Sequence, residues 1–235
     1  MGRIILHSSF IILHFVMPHE APYTAVILKK QPYKEADEII TLYTKQAGKV
    51  RALAKSVKSP KSKLQQKLQA LFFVEVILAG GKMPKIIGVE TLDVFAGLRE
   101  NLEALKRAFY GTELILKFTP DEQPNPQLFS LLHDFLFSLA KTSEEKVFDL
   151  ILAKFKIGIL EALGLSFSHS AESKRISDAA QKALNNILQT DFAGLPPLAV
   201  NTPVEEINRL LSAFIEYQLE RRVKSEKYLN QGNMV

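Results

Sequence analysis

The chain has 235 residues, 47% of them hydrophobic, no cysteine, a net charge of +5 and a pI near 9.2. That length fits one large domain or two small ones, and the apolar fraction is enough to bury a real core, which excludes global disorder. Without cysteine there is no disulfide framework, no thiolate nucleophile and no Cys-ligated zinc, a composition that suits a cytoplasmic protein.

The first 17 residues, "MGRIILHSSFIILHFVM", form an apolar run broken by His7, Ser8, Ser9 and His14. The run is too short and too interrupted for a spanning helix, so no membrane association is expected. Three readings stay open for residues 1–21: an overcalled start with Met17 as the true one, a genuine extension, or a targeting peptide. From Tyr23 the pattern is that of strands. "YTAVILK" is rich in β-branched residues, "EIITLYTK" repeats that character, and "AG" at Ala47-Gly48 marks a turn. In "KVRALAK" the period of two puts Lys49, Arg51, Leu53 and Lys55 on one face and Val50, Ala52 and Ala54 on the other. "SVKSPKSK" breaks the strand. "ALFFVEVILA" over 70–79, a Gly80-Gly81 turn and "KIIGVETL" over 85–92 complete five strands, for which a small OB-fold barrel is the natural closed arrangement.

Near Gly97 the periodicity becomes helical. The first helical stretch, "RENLEALKRAFYGTELILKF", carries Leu102, Leu105, Phe109, Leu114 and Leu116 as its expected apolar stripe. Asn125 caps a helix with Pro126 at its first position. Thr142 and Glu145 read as a capping box before a helix that ends at Gly164. A further helix covers "DAAQKALNNILQ", and Thr202 with Glu205 reads as a capping box before a helix striped by Ile207, Leu210, Leu211, Phe214 and Ile215. The expected fold class is α+β: an extension over 1–21, an N-terminal OB-fold β-barrel that binds nucleic acid over 22–97, and an all-α helical domain over 98–235.

Charge is distributed unevenly. Between Tyr23 and Lys67 eleven cations face three acids, a net of +8, whereas the remainder has 19 against 22, a net of −3. Lys45, Lys49, Arg51, Lys55, Lys58, Lys61, Lys63 and Lys67 follow one another with no intervening Asp or Glu. A nucleic-acid backbone offers regularly spaced negative charge, and cations that neutralise it release counterions, which drives binding with little sequence dependence. Tyr33 and Tyr43 lie near these cations as candidate base-stacking platforms; Phe72 and Phe73 are adjacent, so one of them belongs in the core. The bland alternative is a solvated, solubilising face.

Catalytic patterns are lacking. The five histidines show no metal-ligand spacing, and His133 beside Asp134 on a helix does not face it. "AGGKM" lacks the upstream Gly and the Ser or Thr of a phosphate loop and reads as a hairpin turn. Glu35, Asp37 and Glu38 begin a strand and offset local positive charge. The chain is therefore read as a non-enzyme with no cofactor and no metal.

The stretch "YTAVILKKQPYKEADEIITLYTKQAGKVRALAKSVKSPKSKLQQKLQALFFVEVIL", the later "LDVFAGLRENLEAL", "PNPQLFSLL", "FDLILAKFKIGILEALGL" and the closing "RRVKSEKYL" resemble the bacterial RecO family of recombination mediators, over roughly Tyr23 to Leu229. The resemblance implies an OB-fold followed by helices. It implies binding of single- and double-stranded DNA, strand annealing, partnership with RecR, and help for the recombinase RecA in replacing single-stranded DNA-binding protein, SSB. It also implies docking of the acidic C-terminal tail of SSB on the helical domain, for which Arg107, Arg221 and Arg222 are cationic candidates by location only. Lys49, Arg51, Lys55, Lys58, Lys61 and Lys63 match the family's basic positions after the second strand. Many members carry a four-cysteine zinc site where this chain reads "SFSHSAESKRISD", so no zinc is expected here. The rival readings are an RNA- or ribosome-associated OB-fold protein, and an adaptor whose barrel is a passive spacer.

Overall fold

The computed structural model describes residues 20–59, 62, 64–165, 167, 170, 177–196, 202–220 and 222–229. The extension over 1–19 and the cations Lys61 and Lys63 lie outside the described residues. The N-terminal strands β1 (Glu20–Tyr33), β2 (Asp37–Thr44), β3 (Gly48–Ala54), β4 (Phe73–Ala79) and β5 (Lys85–Asp93) close into a barrel in the order β1-β2-β3-β5-β4. All pairings are antiparallel except β3 with β5, which meet in parallel at Leu53 and Lys85. The short helix α1 (Leu64–Lys67) packs on β5 between β3 and β4. Helices α2 (Gly97–Glu100), α3 (Leu102–Phe118), α4 (Pro126–Lys141), α5 (Glu145–Ala162), α6 (Asp178–Gln189), α7 (Val204–Leu219) and α8 (Glu226–Leu229) follow. The chain thus adopts the α+β class read from its sequence, an OB-like barrel and then helices.

Alternation decides the barrel wall. On β3, Val50, Ala52 and Ala54 are buried inside while Arg51 is exposed, so the period of two sorts apolar from charged as expected. The interior is filled by Tyr23, Ile27, Ile40, Leu42, Val76 and their neighbours. Part of the outer wall is buried too. Val26, Leu28, Tyr43 and Leu71 belong to the core that the helices share. Tyr43 stacks on Phe129 of α4 at 6.3 Å, and Phe73 packs against Phe95, Phe129 and His133.

Local details depart from the sequence reading for physical reasons. β4 begins at Phe73 rather than 70, because Leu71 takes a left-handed turn (φ 70°) and donates its N–H to the Ile27 carbonyl at the β1 bulge, while the Ile27 N–H donates to the Phe72 carbonyl. Asn101 breaks the first helical stretch in two and accepts hydrogen bonds from the Glu103 and Ala104 N–H groups, capping α3. The stripe expected on α3 is only partly the buried one: Leu114 is buried and Leu105 and Leu116 pack partly buried against the core. Leu102 and Phe109 are exposed, whereas Ala104, Ala108, Gly111 and Ile115 are buried, since small residues let α3 approach the Phe135–Phe155 stack closely. Asn125 caps α4 with Pro126 at its first position, as expected. The Thr142–Glu145 capping box does not form: Thr142 accepts from the Glu144 N–H, and the N-cap is Glu144, two residues later, without a side-chain cap. α7 opens with Pro203, not Thr202, at its N-cap. His133 does reach its neighbour, its Nδ1 lying 3.1 Å from the Asp134 carboxylate.

Candidate nucleic-acid interface

The strand registers place outward side chains in rows across the wall. Val26, Tyr43 and Lys49 form one row; Lys29, Thr41 and Arg51 the next; Gln31, Ile39, Leu53 and Lys85 the third. The helices cover the first row. The second and third carry exposed Lys29, Arg51 and Lys85, with Thr41 buried and Ile39 and Leu53 half-buried between them.

Two loops flank this open half. The β1–β2 turn carries Tyr33, 37% exposed, with the Lys34 Nζ 5.6 Å from its ring centroid. The segment after β3 folds onto the same end of the barrel: the Lys58 N–H donates to the Ala36 carbonyl at 3.0 Å and the Ser56 N–H to the Asp37 carboxylate at 2.8 Å. Exposed Lys55 and Lys58 therefore stand beside Tyr33 and Lys34. On the other side the β4–β5 turn is tied to β3 by the Leu53 N–H donating to Pro84, which brings exposed Lys82 and Met83 to the rim. In five-stranded OB barrels the face of strands 2 and 3 and these two loops are where oligonucleotides bind.

The linear cation run is thereby divided. Arg51, Lys55 and Lys58 share the open face. Lys45 sits at the opposite end of the barrel, its N–H bonded to Thr24, roughly 20 Å from Lys55 by strand length. Lys67 lies on α1 with its Nζ 3.4 Å from the Val89 carbonyl. Lys49 is committed to the fold: its Nζ donates to the Leu116 and Thr119 carbonyls at the C-terminus of α3 and faces Asp121 at 3.3 Å. A cation there meets the negative end of the helix dipole and satisfies otherwise orphaned carbonyls. Tyr43 is corrected from stacking platform to core, fully buried, its hydroxyl pushed above the ordinary tyrosine value by burial. Tyr33 remains on the surface. Phe72 lies under the Arg99 guanidinium at 4.6 Å, and Arg99 also donates to Val94 and Ala70, so this ring serves the barrel–helix junction. Sequence reading did not assign Lys29, Lys34, Lys82 and Lys85 to the site. Strand register brings Lys29 and Lys85 to it, and the rim turns carry Lys34 and Lys82; Lys29 and Lys34 belong to the basic first third, but their local sequence does not say which face they share.

Among the described residues, two of the recesses in the helical region are large. One, about 740 Å³, lies between α4, α5 and the segment after α6, with exposed Phe137 beneath the Lys141 Nζ (5.2 Å) and Lys154 near Phe192 (6.0 Å). Burial holds the Lys154 amine below its ordinary value, and its Nζ donates to the Ile187 carbonyl at 3.0 Å. The other, about 720 Å³, has Lys156 and Arg107 among its lining residues. Arg107 is buried and bound to Glu103 and Asp149 at 2.9 and 2.8 Å, so it is a structural ion pair rather than a free docking cation. Arg221 lies outside the described residues, and Arg222 is exposed. Among the described residues no three His, Asp or Glu side chains group as metal ligands, and no helix is long and apolar enough to cross a membrane.

Comparison with known proteins bears on the same regions. Residues 17–95 match the family model described as Recombination protein O N terminal, and residues 99–169 the model described as Recombination protein O C terminal. A DNA repair protein RecO of Dehalococcoides mccartyi strain CBDB1 is 38% identical over 148 residues, covering 63% of this chain and 57% of that relative. A second strain of that species has one that is 34% identical over 168 residues, covering 71% and 64%. The DNA repair protein RecO of Desulforamulus reducens is 28% identical over 241 residues, covering 88% of this chain and 93% of the relative. The chain thus spans less than two thirds of the Dehalococcoides relatives' length and most of the Desulforamulus one.

Proposed function

Because the chain belongs to the RecO family, we propose that it is a non-enzymatic DNA repair protein whose barrel holds single- and double-stranded DNA along the open half of the β2–β3 wall. The observation that carries this reading is the exposed face itself: Arg51, Lys55 and Lys58 stand with Lys29, Lys34 and Lys85 around half-buried Ile39 and Leu53. Cations at that spacing neutralise phosphates, and Tyr33 at the rim supplies a stacking surface that tolerates any base. Annealing follows from the same physics. Neutralising two backbones lowers their repulsion, and weak base readout lets strands search for register. Lys61 and Lys63 extend the contact set by sequence; Lys45 and Lys67 contribute at most peripheral charge.

The helical region then serves partners. The candidate for the acidic C-terminal tail of SSB is the Phe137–Lys141–Lys154 recess, whose aromatic and apolar lining would carry the contact, since its two amines share the recess with the Asp134, Glu144 and Asp191 carboxylates. RecR is the second partner in this reading, and recombinase loading on SSB-coated strands is the outcome.

The test is anisotropy of a labelled single strand across a salt series. About five engaged cations give a log–log slope of roughly −3 to −4. Arg51→Glu, Lys55→Glu and Lys58→Glu together should lower the slope's magnitude by about 2, at unchanged thermal stability. A flat slope in the native chain, or a triple variant that binds like it, would falsify the assigned face. Tighter binding of structured RNA than of single-stranded DNA would favour the RNA-associated reading instead.

A further inference from the structure

The connector between α3 and α4 brings an acid to the edge of the open face. Asp121 lies 3.3 Å from the Lys49 Nζ and 3.6 Å from the Arg51 Nη2. Its position is fixed by backbone contacts, not by the ion pairs alone. Asp121 forms a parallel β-bridge with Lys49, and the Glu122 N–H donates to the Lys49 carbonyl at 2.9 Å. Gly48 has a φ of 69°, and a Cβ there would overlap the Gln123 carbonyl, so the connector runs against the strand as closely as backbone allows.

The two cations that Asp121 meets differ. Lys49 has two helix-terminal carbonyls as well, and its side chain is 13% exposed. Arg51 is 61% exposed, and Asp121 is its ion-pair partner across the edge of the wall. A carboxylate there occupies the guanidinium that a phosphate would take. We propose that Asp121 is an intramolecular competitor for the nucleic-acid backbone: it holds Arg51 in the free protein, yields it when a phosphate arrives, and stays on Lys49. Asp121 also closes the path on the α3 side, since a strand continuing past Arg51 toward Lys49 meets this fixed negative charge. The strand is directed from Arg51 toward Lys55, Lys58 and the two flanking loops. The pair is weak enough to break, because exposed ion pairs are screened by solvent and salt.

This inference rests on the reading of the open face as the DNA site, and the experiment separates the two. Single-strand affinity is measured by anisotropy at low and high salt for the native chain, Asp121→Asn, Glu122→Gln, Arg51→Gln and the Asp121→Asn/Arg51→Gln double variant, each with its melting temperature. Asp121→Asn should raise affinity about two- to fivefold at low salt, with the gain shrinking as salt screens the pair. Glu122→Gln removes the same charge one residue away and should change affinity less. The gain should disappear in the Arg51→Gln background, a non-additivity that identifies Arg51 as the group released. If the native chain binds with a steep salt slope but Asp121→Asn binds no tighter, the competitor role is overturned while the DNA site stands. An equal gain from Glu122→Gln, or one that survives Arg51→Gln, also overturns it, since bulk charge would then explain the effect. A native chain without salt-dependent binding removes the site reading itself.

Discussion

Lys156 on α5 is a buried amine among neutral partners. Its Nζ donates to Ser212 Oγ at 2.8 Å and to the Asn208 side-chain and backbone oxygens at 3.2 and 3.3 Å, and it sits 5.0 Å from the Tyr110 ring centroid. Burial lowers its pKa from 10.5 to about 8, with the Glu226 and Asp149 charges opposing that shift. Between these values the unfolded chain binds the proton more tightly than the folded one. Stability therefore rises with pH across that window and is flat, for this group, below it. From about pH 7.5 to about pH 9.5 the native chain should gain about 2 kcal/mol relative to Lys156→Met in urea unfolding. Parallel pH profiles for the two proteins would contradict the assignment. Lys49 is the second residue whose role is set by its surroundings. Lys49→Met leaves the α3 carbonyls and Asp121 without their cation and should cost about 1.5–3 kcal/mol, while the salt slope for DNA stays within about one phosphate's worth. A full loss of binding at unchanged stability would instead make Lys49 a backbone contact.

At the scale of elements, α3 lies close against the Phe135–Phe155 stack, whose centroids lie 3.9 Å apart at 13°. Gly111 makes it possible: an added Cβ would overlap the Phe135 ring and come within 2.9 Å of Phe155. Alanine is favoured over glycine in a helix by about 1 kcal/mol, but overpacking a closed aromatic core costs about 1–3 kcal/mol and more than offsets it. Gly111→Ala should lower the melting temperature; a rise would mean that the stack yields. The same packing explains why the α3 stripe was misread. Leu102 and Phe109 fit helical spacing, yet the buried face runs through Ala104, Ala108, Gly111 and Ile115, where the small residues leave room for the two stacked rings. Spacing reports amphipathicity; it does not report what size of neighbour waits across the interface.

For the molecule as a whole, the barrel shares part of its core with the helices. Val26, Leu28, Tyr43 and Leu71 on its outside are buried with the helices, and Lys49 and Arg99 bond across the junction. Residues 20–96 expressed alone should expose this apolar surface and be less stable and more prone to aggregate than the intact chain. The intact chain should melt in one transition by both strand and helix signals. Two separated transitions, with a soluble, folded 20–96 fragment, would show that the barrel stands by itself. The junction also orients the site: the helices cover one row of the β2–β3 wall, and exposed Lys29, Arg51 and Lys85 stand on the next two.

The sequence by itself determined the strands, most of the helices, the α+β class and the basic character of the first third, because each is written in local periodicity, turn residues and composition. Asn125 before Pro126 could be read as a cap for the same reason, since a cap needs only its own helix turn. What the eight-cation run does was decided by the tertiary structure alone. The β2–β3 hairpin sends Lys45 to the far end of the barrel, the α3 terminus takes Lys49, and register adds Lys29 and Lys85 to Arg51, Lys55 and Lys58. Charge density is a property of neighbouring positions in the chain, whereas a binding face is a property of side chains that meet across strands, and only closure of the barrel against the helices fixes which ones meet.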